Sequence, residues 1–208
     1  MDADIKNKKF WNRYARFYDA EVLRFSRAAY EEMYRSMGKV LTKEMSVLEI
    51  ATGTGLIAVN IAGFAGSVEA ADYSPKMIEA AKKKCAPGNV RFSVEDGTSL
   101  SYPDEAFDAV IISNALHIMP NPEAVLENIR RVLKPGGLLI APTFSHGHLR
   151  DSTWKLNTLI LKIIGFETYS KWTPDEFVTM IGQNGFTVTN WRVLKAAFPL
   201  VYLEAAKR

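Results

Sequence analysis

Cysteine is scarce in this sequence, and that scarcity excludes whole classes of protein. Cys85 stands alone among 208 residues, so neither an intramolecular disulfide nor a cysteine-rich zinc site can form, which fits a reducing compartment. Histidine is nearly as rare. Of the three, His146 and His148 form an i, i+2 pair with no third ligand nearby, a pattern that suits a polar loop better than a metal site. Long apolar runs are missing too: nothing approaches the ~18 residues of a membrane span. Met1 to Lys9 lacks the apolar core of a secretory leader, so the expected location is the cytoplasm. An excess of charge of one sign is also lacking. Twenty-six Lys and Arg face 23 Asp and Glu, and a net charge of +3 is too small to imply nucleic acid binding.

What is present is ordinary for one globular domain: 48% hydrophobic and 24% charged residues, enough for a continuous core without staples. The middle of the chain repeats a short apolar run, a turn, then a helix-like stretch. Val47–Ala51, Ser67–Ala71, Val90–Val94, Ala109–Ser113 and Leu138–Thr143 are the apolar runs. Ser74-Pro75 and Asn121-Pro122 open helices; Pro87-Gly88 and Lys134-Pro135-Gly136-Gly137 close them. Alternation of this kind predicts an α/β fold with right-handed crossovers and helices on both faces of a parallel sheet. Thr173-Pro174-Asp175-Glu176 has the spacing of a capping box, and Asn184-Gly185 supplies that helix's stop. Phe186–Lys195 and Phe198–Ala206 then follow with so short a connection that they must pair antiparallel. The expectation is a Rossmann-like, seven-stranded, mostly parallel sheet ending in an antiparallel hairpin.

Two segments fall outside this scaffold. Residues 5–37 read as helices with Gly38 as a stop, and 149–166 carry Leu156, Leu159, Ile160, Ile163 and Ile164 on one face. In an open α/β sheet ligands sit beyond the carboxyl ends of the strands, so both segments are candidate covers, or simply core padding. The chain is expected to be a single domain: a helical cover at 1–40, a binding core at 45–143, a lid insertion at 144–172, and a helix plus hairpin at 173–208.

The chemistry is concentrated at strand ends. The first run leads into Glu49-Ile50-Ala51-Thr52-Gly53-Thr54-Gly55, where small residues permit a tight turn and close ligand approach. Asp72 ends the second run, suited to a bidentate contact with two ribose hydroxyls, and Asp96-Gly97 follows the third, where a carboxylate could accept from an adenine amino group. An acid after one strand is commonly a turn residue; acids after three consecutive strands suggest a shared ligand. The loop alone also fits a dinucleotide fingerprint, but acids flanking it suit a cationic, phosphate-free cofactor better than a pyrophosphate.

Val-Leu-Glu-Ile-Ala-Thr-Gly-Thr-Gly at 47–55, Ala-Asp-Tyr-Ser-Pro-Lys-Met at 71–77, Glu-Asp-Gly at 95–97, Phe-Asp-Ala-Val-Ile-Ile-Ser-Asn-Ala-Leu-His at 107–117 and Leu-Lys-Pro-Gly-Gly at 133–137 together resemble the class I S-adenosylmethionine (SAM) dependent methyltransferases. Within them the closest likeness is to the branch of quinone-ring C-methyltransferases and other small-molecule enzymes. The resemblance implies that Glu49 lies near the methionine amino group and that Ala51, Thr52, Gly53 and Gly55 form the loop under the cofactor. It further implies that Asp72 holds the ribose, Tyr73 and Met77 line the adenine face, Asp96 and Gly97 meet its edge, and Ser113 or Asn114 contacts the methionine portion through the backbone. Ala51 replaces the usual first glycine, as it often does in the quinone branch.

The activity implied is methyl transfer from SAM, with S-adenosyl-L-homocysteine (SAH) as product, to a small organic acceptor, aromatic or quinone-like. The alternatives are a non-catalytic SAM-binding module and a nicotinamide-dependent Rossmann oxidoreductase. His117 is the best-placed candidate base, or else a packed histidine bonded to the backbone. Tyr14, Tyr18 and His146 are candidates to close over cofactor or acceptor, with Tyr18 also a candidate catalytic group; helix packing accounts for the tyrosines equally well. Lys6, Lys8, Lys9, Arg13 and Arg16 read as a solvated helix face, the alternative being peripheral contact with a membrane. No metal is expected. The identity of the acceptor and the oligomeric state stay open.

Overall fold

The computed structural model describes residues 11, 19–20, 24, 26–145, 168–196 and 199–208. The strands β1 (Ser46–Ile50), β2 (Ser67–Asp72), β3 (Val90–Val94), β4 (Phe107–Ile112) and β5 (Leu133–Ile140) lie parallel in the order β3-β2-β1-β4-β5. Between them run α2 (Leu56–Ile61), α3 (Pro75–Lys82) and α4 (Pro122–Val132), preceded by α1 (Arg27–Val40). The turn chemistry behaves as the sequence predicts. Ser74 Oγ accepts from Met77 N at 3.2 Å with Pro75 in the first turn of α3, and Asn121 Oδ1 accepts from Ala124 N at 3.1 Å to start α4.

Both faces of the sheet are buried, and the strand period of two sorts β1 and β4 between them. Leu48, Ile50, Val110 and Ile112 pack with Leu126 and Ile129 of α4. Val47, Ala109 and Ile111 pack on the other side with Met33 and Met37 of α1 and Ile57 and Ile61 of α2. The chain then adds β6 (Thr143–Phe144), α5 (Pro174–Gln183), β7 (Phe186–Leu194) and β8 (Leu200–Lys207). Strand β8 inserts antiparallel beside β5 and β6, and β7 pairs antiparallel along its other edge.

The architecture is the expected one, with local departures that have physical causes. Helix α1 runs through Gly38 to Val40. That glycine serves close packing, since a Cβ there would lie 3.0 Å from the Phe64 ring. Lys134 to Gly137 do not separate helix from strand. Strand β5 starts at Leu133 opposite Phe107, and its register jumps to Leu138 opposite Ala109, so these residues bulge out. Gly136 takes φ +69 there, and a Cβ on Gly137 would meet the Lys134 carbonyl oxygen at 2.8 Å. The run Leu138–Thr143 is broken at Ala141-Pro142, leaving two-residue β6 as an eighth strand. Phe198 lies outside the described residues.

The capping box of α5 is complete: Thr173 N donates to Glu176 Oε2 at 2.8 Å and Glu176 N to Thr173 Oγ1 at 3.3 Å. Thr173→Ala is expected to cost about 1 kcal/mol in urea unfolding. Ligand affinity should be unchanged, because Thr173 does not line the cavity described next.

Candidate functional site

The carboxyl edges of β1, β2, β3 and β4 open onto one cavity of about 270 Å³. Its floor is the loop after β1, where Ala51 (φ 55), Gly53 (φ 59) and Gly55 (φ 75) all take left-handed backbone. A side chain at Gly55 would also strike the Phe92 ring, its Cβ 2.7 Å from a ring carbon, so the glycine is required twice over. Ala51 accepts the conformation at a modest steric cost.

Asp72 locks this loop to the next. One carboxylate oxygen accepts from Gly53 N and the other from Ser74 N, both at 2.8 Å. Each oxygen keeps a further lone pair for a ligand hydroxyl. Burial raises the Asp72 carboxyl above its ordinary range, opposed by these two amide bonds.

Glu49 lies beneath the loop, 1% exposed. Thr52 Oγ1 donates to its Oε2 at 2.6 Å. Burial pushes the carboxyl up to about 8; the Thr52 hydroxyl and Ala58 amide work against the rise, the Asp72 charge adds to it, and Lys84 opposes it. Two carboxyls held uneasily together favour a cationic guest.

The cavity wall brings most of the sequence candidates together. Ala51, Gly53, Asp72, Tyr73, Met77, Asp96, Gly97, Ser113 and Asn114 all line it. Glu49, Thr52 and Gly55 lie behind this surface and support the loop from within. Asp96 Oδ1 accepts from Thr98 N at 2.8 Å and from Thr98 Oγ1 at 2.7 Å, a turn that leaves Oδ2 for a ligand. The sequence reading missed Ser74, Glu95 and Thr98, which adjoin named acids, and the apolar flank of Trp11, Ile118, Met119 and Val125. Only adjacency in the strand-end turns could have pointed to the first group; nothing local marks the second.

His117 does not line the cavity. It is buried at 6% exposure, its Nδ1 lies 3.0 Å from Thr143 Oγ1, and its carbonyl oxygen accepts from Tyr169 N and Ser170 N. Through these contacts it joins β4's exit, β6 and the chain entering α5. Tyr14, Tyr18, His146 and His148 lie outside the described residues. Among the described residues no group of three His, Cys, Asp or Glu could hold a metal ion, and no helix is long and apolar enough to cross a membrane.

Residues 48–141 match the methyltransferase domain family model. The demethylmenaquinone methyltransferase of Tropheryma whipplei is 31% identical over 220 residues, covering 97% of this chain and 91% of that protein. The chain belongs to the SAM-dependent methyltransferases. Solved structures agree on the fold. A chain from a Haloferax volcanii complex of a methyltransferase activator with a methyltransferase superposes with TM-score 0.80 at 17% identity, covering 97% of each chain. The DhpI–SAH complex gives TM-score 0.76 at 21% identity, covering 97% of this chain and 95% of that one.

The residues of this methyltransferase fit the cofactor. Asp72, Glu95 and Asp96 are the charged groups on the cavity wall, and no Lys or Arg stands among the described lining residues. That suits a sulfonium and an ammonium without phosphates. Ser113 Oγ and Asn114 Oδ1, both buried without a hydrogen-bond partner, add acceptors for a ligand's donors.

A pH dependence follows from Glu49. The folded protein holds this proton between the ordinary value of 4.5 and about 8, where the unfolded chain has released it. Stability of the ligand-free protein should therefore fall as pH rises through that window, by a few kcal/mol at most. Glu49→Gln should flatten much of the decline, leaving the Asp72 part, which has the same sign. A cation favours the ionised carboxylate, so SAM binding should release protons below about pH 8, measurable by calorimetry in buffers of different ionisation enthalpy.

Proposed function

We propose that this methyltransferase acts on a small aromatic acceptor of the reduced-quinone type, and that residues 1–40 and 144–172 complete the acceptor side of the cavity. The observation that carries the reading is the make-up of the cavity wall: Asp72, Glu95 and Asp96 with the backbone turns of the strand ends, and with them an apolar flank of Trp11, Ile118 and Met119. A flat, apolar ring suits that flank, and the full-length Tropheryma relative bears the name of a quinone-precursor methyltransferase.

SAM supplies an electrophilic methyl group on a sulfonium with its leaving group already in place. The protein's task is then alignment and exclusion of water, which together contribute roughly 7–11 kcal/mol to lowering the barrier. In this reading Asp72 holds the ribose, Asp96 and Gly97 meet the adenine edge, and Tyr73 and Met77 flank the base. A Cβ on Gly97 would lie 3.4 Å from Ile50 and 3.5 Å from Val125, ordinary van der Waals contact.

A general base is required only where the acceptor must lose a proton, and would contribute roughly 100- to 10,000-fold. We assign His117 an anchoring role instead. His117→Asn should lower stability by about 1–2 kcal/mol and leave the shape of the pH–rate profile unaltered; loss of a limb near pH 6–7 would restore the catalytic role.

SAM or SAH at one hundred times its dissociation constant should stabilise the protein by about 2.7 kcal/mol, roughly a 5–11 °C rise in Tm. With methyl-labelled SAM and a panel of a naphthoquinol, a catechol and a primary amine, label should enter the quinol ring. Transfer to the amine alone would overturn the acceptor assignment. Asp72→Ala should weaken SAH binding by tenfold or more, since it removes a charged acceptor and frees both loops.

A further inference from the structure

Three side chains meet behind the cofactor turn, and none of them lines the cavity. The first is Thr54, between Gly53 and Gly55, which is 2% exposed. Its hydroxyl donates to the Asp19 carboxylate and accepts from Lys84 Nζ at 3.1 Å, and Lys84 also pairs directly with Asp19. A hydroxyl can serve both partners at once, as donor to the acid and acceptor from the base. Lys84 reaches the turn from just beyond α3, where its own N–H bonds the Ala81 carbonyl at 3.0 Å.

The turn has other supports for its own shape. Asp72 accepts from Gly53 N, and Thr52 is bonded to Glu49. What the cluster adds is a tie to the N-terminal chain. Trp11, earlier in that chain, lines the cavity, and both Trp11 and Asp19 have helical backbone. The Lys84 and Asp19 side chains are 27% and 33% exposed, so the pair is neither buried nor freely solvated. A fully exposed pair contributes little, and a buried one forms only at a large desolvation cost. A pair at this depth, steadied by a buried hydroxyl, can hold a segment in place and still break within a catalytic cycle.

We propose that Asp19 is a positioning residue of the methyl-transfer reaction: through Thr54 and Lys84 it straps the N-terminal chain to the back of the cofactor turn, sets Trp11 in the cavity wall and retards the escape of bound cofactor. The proposal rests on the SAM assignment and adds to it a control of residence time by charges that do not line the ligand cavity.

Stopped-flow displacement of SAH from the full chain tests it. Asp19→Asn keeps the shape of the side chain, removes its charge, and should speed SAH release about fivefold at low salt. Asp19→Glu keeps the charge and should release SAH within about twofold of the parent rate. Raising the ionic strength from about 0.01 M to about 1 M should speed release from the parent and hardly alter it in Asp19→Asn. Lys84 also lies within electrostatic reach of Glu49, so Lys84→Met is read through the double variant. Once Asp19 has been replaced, the loss of Lys84 should speed release less than it does in the parent. Amide exchange in the turn at 51–55 and around Asp19 should rise in Asp19→Asn, with α4 and α5 unaffected. Unchanged SAH release in Asp19→Asn, equal salt dependence in variant and parent, or strictly additive effects of the two substitutions would overturn the strap. Faster exchange throughout the chain with a lower Tm would make Asp19 a residue of general stability and overturn it as well. Failure of the parent protein to bind SAH would instead remove the cofactor assignment on which the proposal stands.

Discussion

The carboxylate of Asp72 bonds the amides of Gly53 and Ser74, and through them joins the turn after β1 to the turn after β2. Parallel strands deliver their carboxyl ends to one edge, but nothing in the sheet itself fixes the loops that leave it. A buried acid that accepts from two backbone amides does so from within. The Asp72 side chain is thus half architecture and half ligand surface, and its neighbours inherit their placement from it. Ala51 and Gly53 can hold left-handed backbone because the turn is closed on this anchor, and Ser74 can cap α3 because its own amide is already bound.

A second level of organisation brings distant chain onto this edge. Asp19 bonds Thr54 on the loop and pairs with Lys84, so the N-terminal segment is tied to the cofactor turn. Arg192 of β7 bonds Glu32 at 3.1 Å and Ser36 on α1, and its guanidinium stacks over the Tyr202 ring at 4.8 Å. Helix α1 is therefore held from the terminal hairpin, by a group with no part in the cofactor motifs.

What could be read from the sequence follows from how local each signal is. The caps at Ser74, Asn121 and Thr173 act over three residues, and each was legible because its partner lies that close. The acids at 72 and 96 were legible because strand ends are marked by composition and a parallel sheet must gather them. Gly38 misled because a glycine that admits a neighbouring ring looks, in one dimension, like one that ends a helix. The bulge at 134–137 misled for the same reason: proline and two glycines signal a departure from regularity without saying whether the strand resumes its partner. Tyr30 was hidden among residues of a plain amphipathic helix, since the bond its hydroxyl accepts from Asn114 Nδ2 spans 84 positions. His117 looked catalytic by its place after β4, and its contact with Thr143 lies 26 positions on, beyond the reach of any local signal.

Strand β8 is the final element described in chain order, yet it takes an interior place, with β5 and β6 on one side and β7 on the other. Its residues Val201, Tyr202 and Leu203 are fully buried. During synthesis, β5 must wait as an open edge until β8 has been made, and the register of that late insertion also sets Arg192 against α1. Until then that side of β5 is an unpaired edge available to other chains.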